Sequence, residues 1–341
     1  MASTLARPRS ESRLVVYYQT THDPSGNLIS ILPLITKPGI SVTHINVAAI
    51  HLNEDPNAMT LNDHAPSDPR YTTMWAELRI AQASGIKVLG MLGGAAKGSY
   101  TRLDQDQKTF DAYYGPLYEM VRERSLDGLD LDVEEDMSLA GIVRLIDRLR
   151  SDFGPAFVIT LTPVATALLD PTRNLSGFDY EALEVMRGSQ IAWYNAQFYC
   201  GWGDASTPHM YQLCIRKGWQ PQKIVLGLVT TPKNGPGWVP PEMLAATLTL
   251  LRHQFPNFGG VMGWEYFNSL PGGQERPWEW AQQMTKILSG PLARPSTQAK
   301  AVATTQNTRV AEKELDGEDG ATIPKSFEYY SDGSSEDESH T

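Results

Sequence analysis

The stretch Ser125–Met137, SLDGLDLDVEEDM, decides the fold, because it combines a row of acids with the alternation of a buried strand. Asp130, Asp132 and Glu134 are separated by single apolar residues. Successive side chains of a strand point to opposite faces, so the three acids share one face and the apolar residues share the other. The stretch therefore predicts a β-strand with one apolar face and one row of carboxylates.

Similar runs of β-branched and aromatic residues recur along the chain, at intervals of roughly 30–45 residues, and each predicts a further strand. Together with Gly128–Glu134 they are Leu14–Gln19, His44–Ile50, Lys87–Leu92, Phe157–Thr162, Ile191–Tyr199, Ile224–Val229 and Gly260–Glu265.

Segments with helical spacing separate these runs. The predicted helices cover Met74–Ala83, Phe110–Arg124 and Leu139–Phe153, a segment capped by Ser176 or Asp179, and a segment that starts at Pro240 and Pro241. Strands that alternate with helices pair in parallel, and eight such units over about 280 residues predict a (β/α)₈ TIM barrel. A doubly wound open sheet remains the alternative, because spacing alone does not distinguish a closed sheet from an open one. No GxGxxG follows the first strand and no Walker loop is present, which argues against a nucleotide-binding open sheet.

The charge of the chain is concentrated near its end. The net charge is −10, and residues 311–341 carry ten acids against two lysines, so the rest is near neutral. A nearly neutral body without a basic stripe argues against nucleic acid as a partner. We expect a flexible arm at 1–11, a barrel domain at 12–291 and a disordered acidic tail at 292–341.

The sequence carries few signals for cellular location or oligomeric state. The two cysteines make no disulfide framework, and no apolar run approaches the ~18 residues of a membrane span. The first residues lack the apolar segment of a secretory signal, so we expect a cytoplasmic protein, or a secreted one if the N-terminus is incomplete. We expect a monomer with no membrane partner.

The acid row has three interpretations. A metal-binding loop does not fit, because the spacing departs from the EF-hand pattern. A solvated acidic turn does not explain the interleaved apolar residues. In a barrel, the row points inward and Glu134 lies at the carboxyl-terminal mouth, where neighbouring carboxylates raise one another's proton affinity. A carboxyl group that stays protonated there, either Asp132 or Glu134, suits general acid catalysis.

The segment DGLDLDVE at 127–134 resembles the DGxDxDxE signature of glycoside hydrolase family 18, which includes chitinases and endo-β-N-acetylglucosaminidases. KVLGMLGGAA, IAWYNAQFY and GGVMGWEYFNS resemble other segments of this family in order and spacing. Gly93 and Gly94 keep the family pattern, whereas Met91 stands where chitinases of the family carry Ser. The resemblance is strongest to small fungal endo-β-N-acetylglucosaminidases and covers about residues 12–290.

The resemblance implies a retaining mechanism in which the 2-acetamido group of the substrate is the nucleophile. Glu134 would protonate the leaving oxygen and later activate water, and Asp132 would orient the acetamide. Asp130 would hold Asp132 through a shared proton. Tyr199 would donate to the acetamide oxygen, with Gln197 beside it. No metal or cofactor is expected.

Further residues are expected to bind substrate. Trp264 would form the floor of the sugar pocket, and Trp202 and Trp238, each after a strand end, would either stack on sugars or pack at the surface. The other candidates lie in the matched segments and are Asn195, Gly93, Gly94 and Tyr17.

The resulting hypothesis is an endo-β-N-acetylglucosaminidase that cleaves the GlcNAc-β1,4-GlcNAc bond of the N-glycan core. Its substrates would be N-linked glycans on glycoproteins or free oligosaccharides. A chitinase and a catalytically inactive lectin remain the alternatives.

Overall fold

Nine strands occur in the part of the chain that the computed structural model describes, residues 12–290. They are β1 (Arg13–Tyr18), β2 (His44–His51), β3 (Thr60–Leu61), β4 (Lys87–Gly93), β5 (Gly128–Asp132), β6 (Val158–Leu161), β7 (Trp193–Gln197), β8 (Ile224–Val229) and β9 (Gly260–Trp264). All except the two-residue β3 pair in parallel with their neighbours. These eight correspond one to one with the predicted strands.

The sheet is closed. β1 pairs with β2 on one side and with β9 on the other, so the strand order returns to its start. The predicted (β/α)₈ barrel is therefore confirmed, and the open-sheet alternative is excluded.

Helices connect the strands around the outside of the barrel. They are α1 (Pro33–Thr36), α2 (Thr72–Ala83), α3 (Ser99–Leu103), α4 (Gln107–Glu123), α5 (Leu139–Phe153), α6 (Tyr180–Arg187), α7 (His209–Lys217), α8 (Pro241–Gln254) and α9 (Trp278–Ser289). Short 3₁₀ helices cover Pro69–Tyr71, Ala165–Leu168, Pro221–Lys223 and Pro232–Asn234. All five predicted helices are present. Asp179 rather than Ser176 caps α6, because its side chain accepts a hydrogen bond from the backbone of Glu181.

Two hydrophobic layers follow from the strand alternation. The larger one lies between the sheet and the helices and includes Leu129, Leu131 and Val133. The smaller one fills the barrel interior and includes Met91, Tyr199 and partly buried aromatic side chains near the carboxyl ends of the strands. The apolar face of the 125–137 stretch thus packs outward, which leaves its acids on the inside.

The expected arm at 1–11 and the expected tail at 292–341 lie outside the described residues. Within residues 12–290, no helix is long and apolar enough to cross a membrane.

Candidate active site

The acid row runs from the barrel interior to its mouth. β5 ends at Asp132, and Glu134 follows two residues later. Asp130 is fully buried, Asp132 is 5% exposed, and Glu134 is half-buried. The three acids therefore become more accessible toward the carboxyl end of the strand, as the alternation predicts.

Asp130 is the deepest of the three and is surrounded by donors from three other strands or strand ends. Its Oδ2 accepts hydrogen bonds from the hydroxyls of Tyr17 at 2.7 Å and Thr162 at 2.8 Å. Its Oδ1 accepts from Thr160 and from the amide of Asn195 at 3.0 Å. Burial raises the pKa of Asp130, and these four hydrogen bonds oppose that shift because they stabilise the charged form.

Two predictions concern the surroundings of Asp130. The oxygens of Asp130 accept from the four donors and no hydrogen bond joins Asp130 to Asp132, so the shared proton between the two acids stays a prediction. Tyr17 and Asn195 were expected to bind substrate, but they are 1% and 0% exposed and lie against Asp130. Both donate to a buried carboxylate, and their contact with substrate stays a prediction.

Gln197 connects the two outer acids. Its Nε2 lies 2.9 Å from Oε1 of Glu134, 3.3 Å from Oδ1 of Asp132 and 3.2 Å from the carbonyl of Thr162. An amide nitrogen carries two hydrogens, so these three acceptors compete for two donors. Gln197 therefore brings Asp132 and Glu134 into one hydrogen-bonded group.

The electrostatics of this group favour protonation. Burial, followed by the charges of Glu134 and Asp130, raises the pKa of Asp132 well above its ordinary value. Burial also raises the pKa of Glu134. The hydrogen bond from Gln197 opposes both shifts. Since the pair cannot easily carry two charges, one of its carboxyls keeps a proton at pH values where an exposed carboxyl is ionised.

A glycine pair borders the acids at the end of β4. Gly93 and Gly94 have φ of 90° and 89°, a region that glycine tolerates, and the backbone N–H of Gly94 donates to the carbonyl of Asp132 at 2.9 Å. A Cβ on Gly93 would lie 2.5 Å from that same carbonyl oxygen. Met91, which pairs in register with Asp130, is buried in the barrel interior. The close approach of β4 to the acids thus depends on the absence of side chains at the two glycines.

Aromatic side chains form an apolar layer in the barrel around the acids. Tyr199 is 7% exposed, and Trp238 and Trp264 are half-buried against the same inner cluster. The ring of Trp264 meets that of Tyr17 edge-on, with centroids 5.5 Å apart. Trp202 instead packs against the outer cluster, so its place favours surface packing over sugar stacking.

Sequence reasoning missed several polar residues of the site. Thr160 and Thr162, the donors to Asp130, alternate with apolar residues in the predicted strand Phe157–Thr162, and this alternation was a usable signal. Glu135 and Glu265 are buried carboxylates that directly follow Glu134 and Trp264, at 5% and 6% exposure. Their partners lie on distant loops, so their burial was not evident from local sequence.

No cluster of three or more His, Cys, Asp or Glu side chains within residues 12–290 is arranged to hold a metal ion.

Comparison with known proteins places these features in a family. Residues 13–283 match the family model described as "Glycosyl hydrolases family 18". A solved fungal endo-β-N-acetylglucosaminidase of that family is 50% identical, with a TM-score of 0.79, and the match covers 81% of this chain and 98% of that one. The solved chitinase ChiC from Aspergillus fumigatus is 57% identical, with a TM-score of 0.75, over 80% of this chain and 98% of that one.

A curated relative is more distant. Chitinase 2 of Rhizopus oligosporus is 28% identical over 209 residues, which are 56% of this chain. The match spans 36% of the length of that relative.

Proposed function

The chain belongs to glycoside hydrolase family 18, and we propose that it is an endo-β-N-acetylglucosaminidase that cleaves the GlcNAc-β1,4-GlcNAc bond of the N-glycan core. Membership supports a glycosidase with a carbohydrate substrate. We propose the bond that it cleaves and the roles of its residues.

The observation that carries the mechanism is the contact of Gln197 with both Asp132 and Glu134. Two carboxylates on one side of one strand approach the sugar from the same side. An arrangement with an enzyme nucleophile places the two carboxylates on either side of the scissile bond. The geometry therefore favours a nucleophile supplied by the substrate, its 2-acetamido oxygen.

The proposed reaction has two steps. In the first, Glu134 donates its proton to the glycosidic oxygen as the bond from that oxygen to C1 breaks, and the acetamide oxygen bonds to C1. The resulting oxazolinium ion is positive, and the carboxylate of Asp132 accepts the acetamide N–H and stabilises this charge. In the second step, water gives a proton to Glu134 and attacks C1. This attack opens the oxazolinium ring and restores the original configuration at C1.

The surroundings of the pair support these roles. A raised pKa keeps Glu134 available as an acid. Tyr199 and Trp264 lie in the apolar layer around the acids, where a hydroxyl and a flat ring suit the acetamide and the sugar face. The donors on Asp130 fix the base of the strand that carries Asp132.

The choice of bond draws on the solved fungal endo-β-N-acetylglucosaminidase, whose fold matches this chain with a TM-score of 0.79 against 0.75 for ChiC. The apolar Met91 beside Asp130, in place of the Ser of chitinases, also favours it. A chitinase is the second candidate, because the chain is 57% identical to ChiC.

One assay separates these candidates. The protein would be incubated with a high-mannose glycopeptide and, separately, with chito-oligosaccharides, and the products identified by mass spectrometry. We expect the peptide to retain one GlcNAc. Cleavage of chito-oligosaccharides alone would establish the chitinase. Binding of the glycopeptide without cleavage of either substrate would establish a lectin. Glu134→Gln serves as the control and should abolish turnover while it preserves binding.

A further inference from the structure

Glu135 is a buried carboxylate beside the proposed acid, and it faces a single segment of the chain. Its Oε2 accepts hydrogen bonds from the backbone N–H of Gly98 at 2.8 Å and the hydroxyl of Thr101 at 2.6 Å, and its Oε1 accepts from the N–H of Tyr100 at 2.8 Å. All three donors belong to the connection between β4 and α4, at the start of α3. A charged acceptor with three donors makes strong hydrogen bonds.

Asp132, two residues before Glu134, is tied to the same connection. The carbonyl of Asp132 accepts the N–H of Gly94 at 2.9 Å. Glu134 therefore lies between two points of attachment, the carbonyl of Asp132 and the carboxylate of Glu135. Further along, Asp104 accepts hydrogen bonds from the N–H and hydroxyl of Ser138 at 2.7 and 2.6 Å, which fixes the end of the same loop.

We propose that Glu135 is a positioning residue, which fixes the carboxyl of Glu134 at the leaving oxygen by fastening the loop after β5 to the start of α3. This inference rests on the proposed role of Glu134 as the general acid. A displacement of about 1 Å in a catalytic group can reduce a rate about 10²-fold, so an anchor one residue away controls the proton transfer.

The chain offers a matched control in Glu265. This carboxylate directly follows Trp264, is 6% exposed, and also has three donors, the N–H groups of Gln19 at 3.1 Å and Thr20 at 2.8 Å and the hydroxyl of Thr20 at 2.8 Å. It fastens a loop in the same manner but adjoins the proposed floor of the pocket. Loss of Glu265 should disturb sugar binding whatever the leaving group.

The experiment compares two substrates that share one donor glycan. The first is the glycopeptide, whose sugar leaving group needs protonation, and the second is a 2,4-dinitrophenyl glycoside, whose phenolate leaves without it. Because kcat/KM reports the steps up to bond cleavage, it isolates the acid role of Glu134 from its later role as base. Wild type, Glu134→Gln, Glu135→Gln and Glu265→Gln would be measured on both substrates, with circular dichroism to confirm folding.

We expect Glu135→Gln to lower kcat/KM for the glycopeptide about 10- to 100-fold and to leave the dinitrophenyl substrate nearly unchanged. Glu265→Gln should lower both values by similar factors. Equal losses on both substrates for Glu135→Gln, or no loss, would overturn the inference.

Two further results keep the test decisive. If Glu134→Gln itself shows no preference between the substrates, the proposed function fails, independently of Glu135. If Glu135→Gln does not fold, Thr101→Val removes one donor to Glu135 from outside the loop. Thr101→Val should also lose more kcat/KM on the glycopeptide than on the dinitrophenyl substrate, to a smaller extent. A folded Thr101→Val without this preference would contradict the proposal.

Discussion

Asp132 lies where its negative charge is disfavoured, because burial and the acids Glu134 and Asp130 raise its pKa well above the ordinary value. For an acid whose pKa is higher in the folded state, the resulting stabilisation is complete below the unfolded-state pKa and is lost as pH rises through the folded-state pKa. Asp132→Asn cannot ionise. We therefore expect it to lose activity and yet to be more stable than the wild type at pH values above the native pKa.

Urea unfolding of both proteins across the pH range would check this expectation. The wild type should lose stability relative to Asp132→Asn as pH rises, and the two should converge in acid. Parallel pH dependences for the two proteins would contradict the prediction.

Gln197 sets the proton affinity of the same pair. Its hydrogen bonds lower the pKa of Asp132 and of Glu134 against the effect of burial. Gln197→Met removes the donor, so both pKa values should rise, and the alkaline limb of the profile of kcat/KM against pH should move to higher pH. The rate at the optimum should also fall, by about tenfold or more, because the carboxyls lose their common partner.

A second glutamine provides the control for that change. Nε2 of Gln82 donates to Asp127 at 2.8 Å, at the opposite end of β5 from Glu134. Gln82→Met should leave the pH profile of the enzyme in place. An alkaline limb that does not move in Gln197→Met would show that Gln197 does not set the proton affinity of the pair.

Single residues differ in how far sequence predicts them. Asp130, Asp132 and Glu134 were predictable because they lie on β5 and its direct extension, where the alternation of side chains gives them a common side. The positions of Tyr17 and Asn195 beneath Asp130 could not be predicted, because they depend on how deep β1 and β7 lie in the barrel relative to β5. That depth is set by the stagger of the closed sheet, which no local pattern encodes.

The end of β4 must pass close to β5, and a substitution at Gly93 tests this requirement. A Cβ there would lie 2.4 Å from the ring of Tyr100 and 2.5 Å from the carbonyl of Asp132, at a φ of 90°. Gly85 has a φ of 92°, and nothing lies within 4 Å of its Cβ position. Gly85→Ala therefore measures the backbone cost alone, about 1–2 kcal/mol.

Gly93→Ala should cost several-fold more free energy of unfolding than Gly85→Ala, because the added methyl group forces backbone or ring to move. It should also reduce activity, since the displaced carbonyl belongs to Asp132. Urea unfolding and kcat/KM for the two variants would measure both effects. Equal destabilisation by the two substitutions would mean that β4 does not constrain the acids.

Strands were predicted more fully than helices, and the reason is physical. Most barrel strands are buried on both sides and are rich in apolar residues, and β5 stands out by its alternation of apolar and acidic residues. The short helices α1 and α3, and also α7 and α9, were not predicted. α7 has nine residues and buries only Tyr211 and Cys214, and the buried face of α9 includes the polar Thr285. Neither helix begins with a Ser, Thr, Asp or Asn cap, so the sequence signal for a helix start is absent at both.

For the whole molecule, closure was the feature that sequence left open. The barrel closes where Arg13 pairs with Gly260 and Val16 with Gly263, nearly 250 residues apart in the chain. A pairing at that separation leaves no mark in local spacing, and only the number of repeated units favoured the barrel. The described elements from β1 to α9 complete the barrel within residues 13–289.

A chain limited to residues 12–290 is therefore expected to fold and to cleave substrate with the kcat/KM of the full chain. Residues 1–11, 291–310 and 311–341 carry +1, +3 and −8, so truncation changes the net charge from −10 to −6, and the two forms differ chiefly in long-range electrostatics. Kinetics and thermal unfolding of both forms, in low and high salt, would test this. A difference caused by charge alone should vanish at about 1 M salt, where the screening length is about 3 Å. A loss of activity that persists in high salt would mean that the terminal residues contribute to the fold or the site by direct contact.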